Sequence, residues 1–164
     1  MNNKKENPFR KSTRLKEYDY SNGGYYFITI CVNNFKIVFG DVKNVKLNLN
    51  IYGREIEKIL LSLQERYKSV EIDYYVIMPN HIHFIFILDN NSDEKRSVSN
   101  IIGAFKSLTT ISLHKLGLID FKWQRSFYDR IIRDEKELYY IRQYIDQNPL
   151  RWEIEKNNPD NLEL

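Results

Sequence analysis

The sequence predicts an α+β sandwich, an antiparallel sheet of ferredoxin-like kind with amphipathic helices packed on one side of it. Runs rich in aromatic and β-branched residues, at Tyr25–Val32, Val70–Met78 and His81–Leu88, have the composition of strands. Ile51–Lys68, Ser97–Leu116 and Asp134–Gln147 instead space their apolar residues at the period of a helix. The connections are too short to divide the chain, and no internal repeat is present. One domain is therefore expected over residues 18–152, between a basic arm at residues 1–17 and a polar tail at residues 153–164.

Taken in order, Tyr25–Val32 follows the turn signal Asn22-Gly23-Gly24 and is apolar on both faces, as a central strand would be. A hairpin-like stretch runs to about Leu49, after which Ile56, Ile59, Leu60 and Leu63 form the buried stripe of a first helix. Val70–Met78 and His81–Leu88 are separated only by Pro79-Asn80, a break that suits adjacent antiparallel strands. The polar loop Asp89–Arg96 leads to a second helix carrying Val98, Ile101, Ile102, Phe105, Leu108 and Leu113, with Ser97 or Ser99 as its cap. A mixed stretch, Phe121–Ile132, precedes the third helix, where Asp134 and Glu137 resemble a capping box and Leu138, Ile141 and Ile145 form the stripe. That helix is expected to stop near Asn148-Pro149, because the residue before a proline is pushed out of the helical region.

A chain of 164 residues can bury roughly two-thirds of its unfolded surface, so neither a disulfide nor a metal is needed for folding. The single cysteine, Cys31, lies in an apolar run and reads as a buried thiol in a reducing compartment. No apolar run approaches the roughly 20 residues of a membrane span, which points to a soluble, cytoplasmic protein. The net charge of +3 discriminates little, but Lys4, Lys5, Arg10, Lys11, Arg14 and Lys16 stand against the single acid Glu6 in the first sixteen residues. Such an arm suits a polyanion, and a solvated tail explains it equally well. Twelve tyrosines and nine phenylalanines, interleaved with cations, offer stacking surfaces for bases, although most belong in the core.

The sharpest chemical feature is His81-Ile82-His83. Residues i and i+2 of a strand share a face, so two imidazoles converge and can grip one divalent cation with positions left for substrate oxygens. Two neutral core histidines are the plainer alternative. Tyr144 and Asn148 lie four residues apart beside the buried stripe of the third helix, one turn above the other. The tyrosine can offer a hydroxyl and the asparagine a carbonyl oxygen, but an amphipathic tyrosine and a helix-capping asparagine would look the same.

Pro79-Asn80-His81-Ile82-His83 after a hydrophobic strand resembles the HUH signature (His, bulky apolar, His) of single-tyrosine, IS200-like transposases. Gly24-Tyr25-Tyr26-Phe27-Ile28-Thr29-Ile30, Phe105-Lys106-Ser107, Trp123-Gln124-Arg125-Ser126-Phe127-Tyr128-Asp129-Arg130-Ile131-Ile132-Arg133 and Tyr144-Ile145-Asp146-Gln147-Asn148-Pro149 resemble, in order, the marks of REP-associated tyrosine transposases. Together the blocks extend from about Tyr18 to Trp152.

The resemblance implies a ferredoxin-like HUH domain with His81 and His83 on a central strand as metal ligands, Asn148 joining them, and Mg2+ or Mn2+ as the ion. It makes Tyr144 the nucleophile, with Tyr139 and Tyr140 as alternatives whose spacing to Asn-Pro departs from the pattern. The implied reaction is a transesterification on single-stranded or hairpin DNA, at hairpin or repetitive palindromic elements, through a 5′-phosphotyrosine. A phenol of ordinary pKa near 10 is a poor nucleophile, so a metal that polarises the phosphate answers the chemical need. Arg125, Arg130 and Arg133 near the third helix, Lys106, and Arg10, Lys11 and Arg14 in the arm are candidates for DNA phosphate contacts. Related transposases work as dimers that can exchange the tyrosine helix, whereas REP-associated members can be monomers, so both states stay open. Two rivals come from other classes. A non-catalytic nucleic-acid-binding module built on a ferredoxin-like sheet, as RNA-recognition domains are, would leave the histidine pair and the Tyr144/Asn148 stack without a role, and a metallohydrolase using His81 and His83 to activate water would form no covalent adduct.

Overall fold

The computed structural model describes residues 23–89 and 96–156. The elements run β1 (Gly24–Cys31), a 3-10 turn (Asn33–Phe35), the hairpin β2 (Gly40–Lys43) and β3 (Lys46–Leu49), α1 (Ile51–Arg66), β4 (Val70–Ile77), β5 (His81–Leu88), α2 (Val98–Lys115), β6 (Tyr128–Ile132), α3 (Glu135–Asp146) and α4 (Asn148–Lys156). Four strands form one antiparallel sheet in the order β4-β5-β1-β6. With the β2–β3 hairpin set aside, this is the βαββαβ arrangement of ferredoxin-like folds. Each of the first three helices is capped at its N-terminus by a side chain, Asn50, Ser97 and Asp134 respectively. Among the described residues no helix is long and apolar enough to cross a membrane.

The sheet has two covered faces. Tyr26, Ile28 and Ile30 of β1 and Ile82, Phe84 and Phe86 of β5 join the larger core with residues of α1 and α2. Phe27 and Ile85, pointing the other way, pack with Ile132, Ile141 and Ile145 against α3. The expectation of helices on one side is corrected here. Because β1 and β5 are apolar on both faces, each face must be covered, and the stripe of α3 closes the second. Burying Ile141 and Ile145 contributes roughly 1.5–3 kcal/mol each to holding α3 there.

Polar ties fix the rotation of α3 about its axis. The β4–β5 register slips between Ile72 and Tyr74, leaving Asp73 as a bulge residue. Its carboxylate accepts from Arg142 Nε at 2.9 Å and pairs with the Arg142 Nη2 as well. The Tyr74 hydroxyl adds a longer bond to Asp146, at 3.3 Å.

The chain does not become a tail at Glu153. Asn148 and Pro149 open α4, which continues through Lys156. Proline is tolerated in a first helical turn, where its missing N–H has no intrahelical acceptor, so the dipeptide that ends α3 also starts the next helix. Glu153 of α4 accepts the backbone N–H of Val45, at the tip of the β2–β3 hairpin, at 2.6 Å.

Candidate active site

Alternation along β5 puts His81, His83 and Ile85 on the face covered by α3. His83 is buried and His81 partly so, with ring centroids 4.6 Å apart. The Nδ1 of each imidazole is occupied. That of His83 meets the hydroxyl of Thr29, its cross-strand partner on β1, at 2.8 Å, and that of His81 meets Asn80 Oδ1 at 2.6 Å. An amide oxygen can only accept, so His81 carries its proton on Nδ1, and the Thr29 hydroxyl can accept the corresponding proton of His83. The Nε2 of each ring is then the nitrogen left to bind a ligand.

Burial lowers both imidazole pKa values, His81 to about 4 and His83 to about 3. The neighbouring His81 lowers His83 further, while the Asn148 side chain, able to accept from either ring only once that ring is protonated, works in the opposite direction. Both rings are thus neutral at physiological pH, the form whose lone pair a cation requires.

Asn148 is buried, and its Nδ2 donates to the main-chain carbonyl of Tyr144 at 2.8 Å. A carbonyl can only accept, which fixes the amide orientation and leaves Oδ1 as the end that faces the histidines. Two neutral imidazoles and one amide oxygen fit a divalent ion with open positions, and the Nδ1 contacts of Thr29 and Asn80 are the kind of outer bonds that orient such ligands. Among the described residues no cluster of three or more His, Cys, Asp or Glu side chains could hold a metal.

Tyr144 stands over this group. Its half-buried ring lies 5.3 Å from that of His83 and 6.1 Å from that of Phe27, both at steep edge-on angles. Tyr139 and Tyr140 are each 57% exposed and pack against one another. The Tyr139 hydroxyl accepts from Gln143. Tyr144 borders two concavities. One, of about 240 Å³, is also lined by His81, Asn148, Arg151 and Trp152; the other, of about 690 Å³, lies between β6 and α3 and includes Arg130, Arg133, Lys136 and Tyr140.

The candidate DNA contacts divide. Arg130 and Arg133 line the larger concavity, although Arg130 is paired with Glu137. Arg125 is exposed. Lys106 lines neither concavity; its Nζ donates to the carbonyls of Gln124 and Arg125 at 2.6 and 3.0 Å, and burial lowers its pKa. Together with the Trp123 Nε1 bond to Thr109, it pins the segment that delivers β6 to the sheet edge. Arg10, Lys11 and Arg14 lie outside the described residues. Cys31 is half-buried rather than buried; it pairs with His81 at the end of β1, and partial burial raises its pKa. Sequence reasoning missed Thr29, Asn80, Arg151 and Trp152. Thr29 and Asn80 stand inside the blocks Gly24–Ile30 and Pro79–His83 but had been given no role there, and no signal marked Arg151 or Trp152.

The family model described as Transposase IS200 like matches residues 20–148. An uncharacterized protein of Haemophilus influenzae is 35% identical over 162 residues, covering 88% of this chain and 90% of its own. A REP-associated tyrosine transposase of Escherichia coli is 24% identical over 132 residues, covering 80% of this chain and 70% of its own. A solved REP-associated tyrosine transposase bound to a REP hairpin superimposes with a TM-score of 0.61 at 23% identity, over 85% of this chain and 74% of that one, which shows a shared fold. The chain belongs to the IS200-like transposase family.

Proposed function

We propose that this transposase cleaves and rejoins single-stranded DNA beside hairpin or repetitive palindromic elements, with Tyr144 as the nucleophile and a 5′-phosphotyrosine as the intermediate. The observation that carries the reading is the placement of the Tyr144 ring 5.3 Å from His83 while Asn148, one turn on, faces the same imidazoles. The relative bound to a REP hairpin supports the choice of substrate.

His81, His83 and Asn148 would hold Mg2+ or Mn2+, which supplies positive charge to polarise the scissile phosphate. Thr29 and Asn80 keep the two rings oriented. Phe27 and His83 form the apolar and aromatic wall that orients the phenol. In the forward step the Tyr144 oxygen bonds to phosphorus and its proton passes to solvent. The P–O3′ bond breaks, and the departing oxygen takes up a proton as a 3′-hydroxyl. Attack of a 3′-hydroxyl on the phosphotyrosine reverses these changes and seals the strand without a nucleotide cofactor.

Labelled hairpin DNA with single-stranded flanks, incubated with the protein and Mn2+, should give a covalent band on a denaturing gel. Tyr144→Phe and His83→Ala should each abolish it while retaining hairpin binding, and Tyr139→Phe and Tyr140→Phe should keep it. The two inert variants mixed together should stay inert if the site acts within one chain. Free cut DNA without an adduct would identify a hydrolase instead, and a nucleotide mapped to Tyr140 would overturn the assignment of Tyr144.

A further inference from the structure

The roles assigned above leave one cation of the smaller concavity without a task. Arg151 lies three residues beyond Asn148 on α4, and its guanidinium carbon sits 5.1 Å from the centroid of the Tyr144 ring. It lines the same space of about 240 Å³ as His81, Tyr144 and Asn148. Of the other arginines around Tyr144, Arg142 is held by Asp73 and Arg130 by Glu137, while Arg133 lines the larger concavity rather than this one. Among the described residues Arg151 has no carboxylate within ion-pair distance. A guanidinium with no ion pair among the described residues, beside Tyr144 in a concavity lined also by His81, Asn148 and the carboxylate of Glu155, matches the planar fork that binds phosphate oxygens in pairs.

We propose that Arg151 is a catalytic residue that clamps a non-bridging oxygen of the scissile phosphate while Tyr144 attacks, and that it holds the same oxygen in the phosphotyrosine. This rests on the reading of Tyr144 as the nucleophile. Charge spreads over the non-bridging oxygens as the Tyr144–phosphorus bond forms and the P–O3′ bond breaks. A donor already in place stabilises that charge without having to reorganise. The lesser role would be structural, the guanidinium merely bracing the tyrosine ring through a cation–π contact. α4 is itself anchored by Glu153 on the hairpin, so the position of Arg151 does not depend on its own side-chain contacts.

The test uses the full-length protein, hairpin DNA with single-stranded flanks, and a second substrate whose scissile phosphate is a neutral methylphosphonate. On the phosphate substrate Arg151→Gln should slow single-turnover adduct formation about 10²–10³-fold, with hairpin affinity changed less than about threefold. Arg151→Lys should restore part of the rate. On the methylphosphonate the wild type and Arg151→Gln should react alike, because the charge that the guanidinium serves is gone. An Arg151→Gln rate equal to wild type on the phosphate, or an equal loss on both substrates, would overturn the clamp, the latter in favour of ring bracing. Failure of the wild type to form any adduct would instead sink the reading of Tyr144, and the clamp with it.

Discussion

Acid should destabilise this protein through its histidine pair, to an extent that follows from the burial of the two rings. In the unfolded chain both imidazoles titrate near 6.5, whereas in the fold His81 resists protonation until about pH 4 and His83 until about pH 3. The folded pKa values are depressed, so the neutral rings are fully accommodated above pH 6.5 and stability falls as pH drops toward the folded values. Each unit below 6.5 costs about 1.36 kcal/mol per histidine, so at pH 5 the pair should remove about 4 kcal/mol relative to neutral pH. The assay is urea unfolding of metal-free protein at half-unit steps from pH 7.5 to 5, comparing wild type with His81→Asn/His83→Gln. Carboxylates contribute equally to both, so the difference in slope isolates the pair, whatever the variant's absolute stability. Parallel pH profiles would refute the claim that these rings are buried and neutral.

Two further outcomes are expected. Thr29→Val keeps the shape of the side chain but removes the oxygen that meets His83 Nδ1, and should weaken Mn2+ binding by about 10–100-fold in a calorimetric titration without unfolding the protein; unchanged affinity would show that the bond does not orient the ring. At the β2–β3 tip Asn44 and Val45 both have positive φ, 53° and 60°, a conformation suited to Asn-Gly and strained for a β-branched residue. Val45→Gly should therefore stabilise by roughly 0.5–1 kcal/mol and raise the melting temperature by about 1–4 °C, whereas a lower melting temperature would mean that the half-exposed valine side chain contributes more than its backbone costs.

The positions along the chain of β1, β4 and β5 and of the first three helices, the shared face of His81 and His83, and the one-turn separation of Tyr144 and Asn148 were determined by the sequence alone. Each depends on the fixed repeat of a single element, two residues in a strand and 3.6 in a helix, and needs no knowledge of distant neighbours. The strand positions were legible for the same reason, since β1 and β5 advertise their central places by being apolar on both sides. Packing decided the rest. Which of Tyr139, Tyr140 and Tyr144 faces the histidines depends on the rotation of α3, set by a bulge at Asp73 and its bond to Arg142 across 69 residues. Thr29 and Asn80 become partners of the imidazoles only once β1 lies beside β5 and the turn between β4 and β5 has formed. Lys106, indistinguishable in the sequence from a phosphate-binding cation, becomes a loop anchor because the Gln124 and Arg125 carbonyls fold back onto it. Asn148-Pro149 ends one helix and begins another, and a local rule about proline predicts the first event but not the second, which depends on a surface for α4 to dock on, supplied by a hairpin about a hundred residues away in the chain.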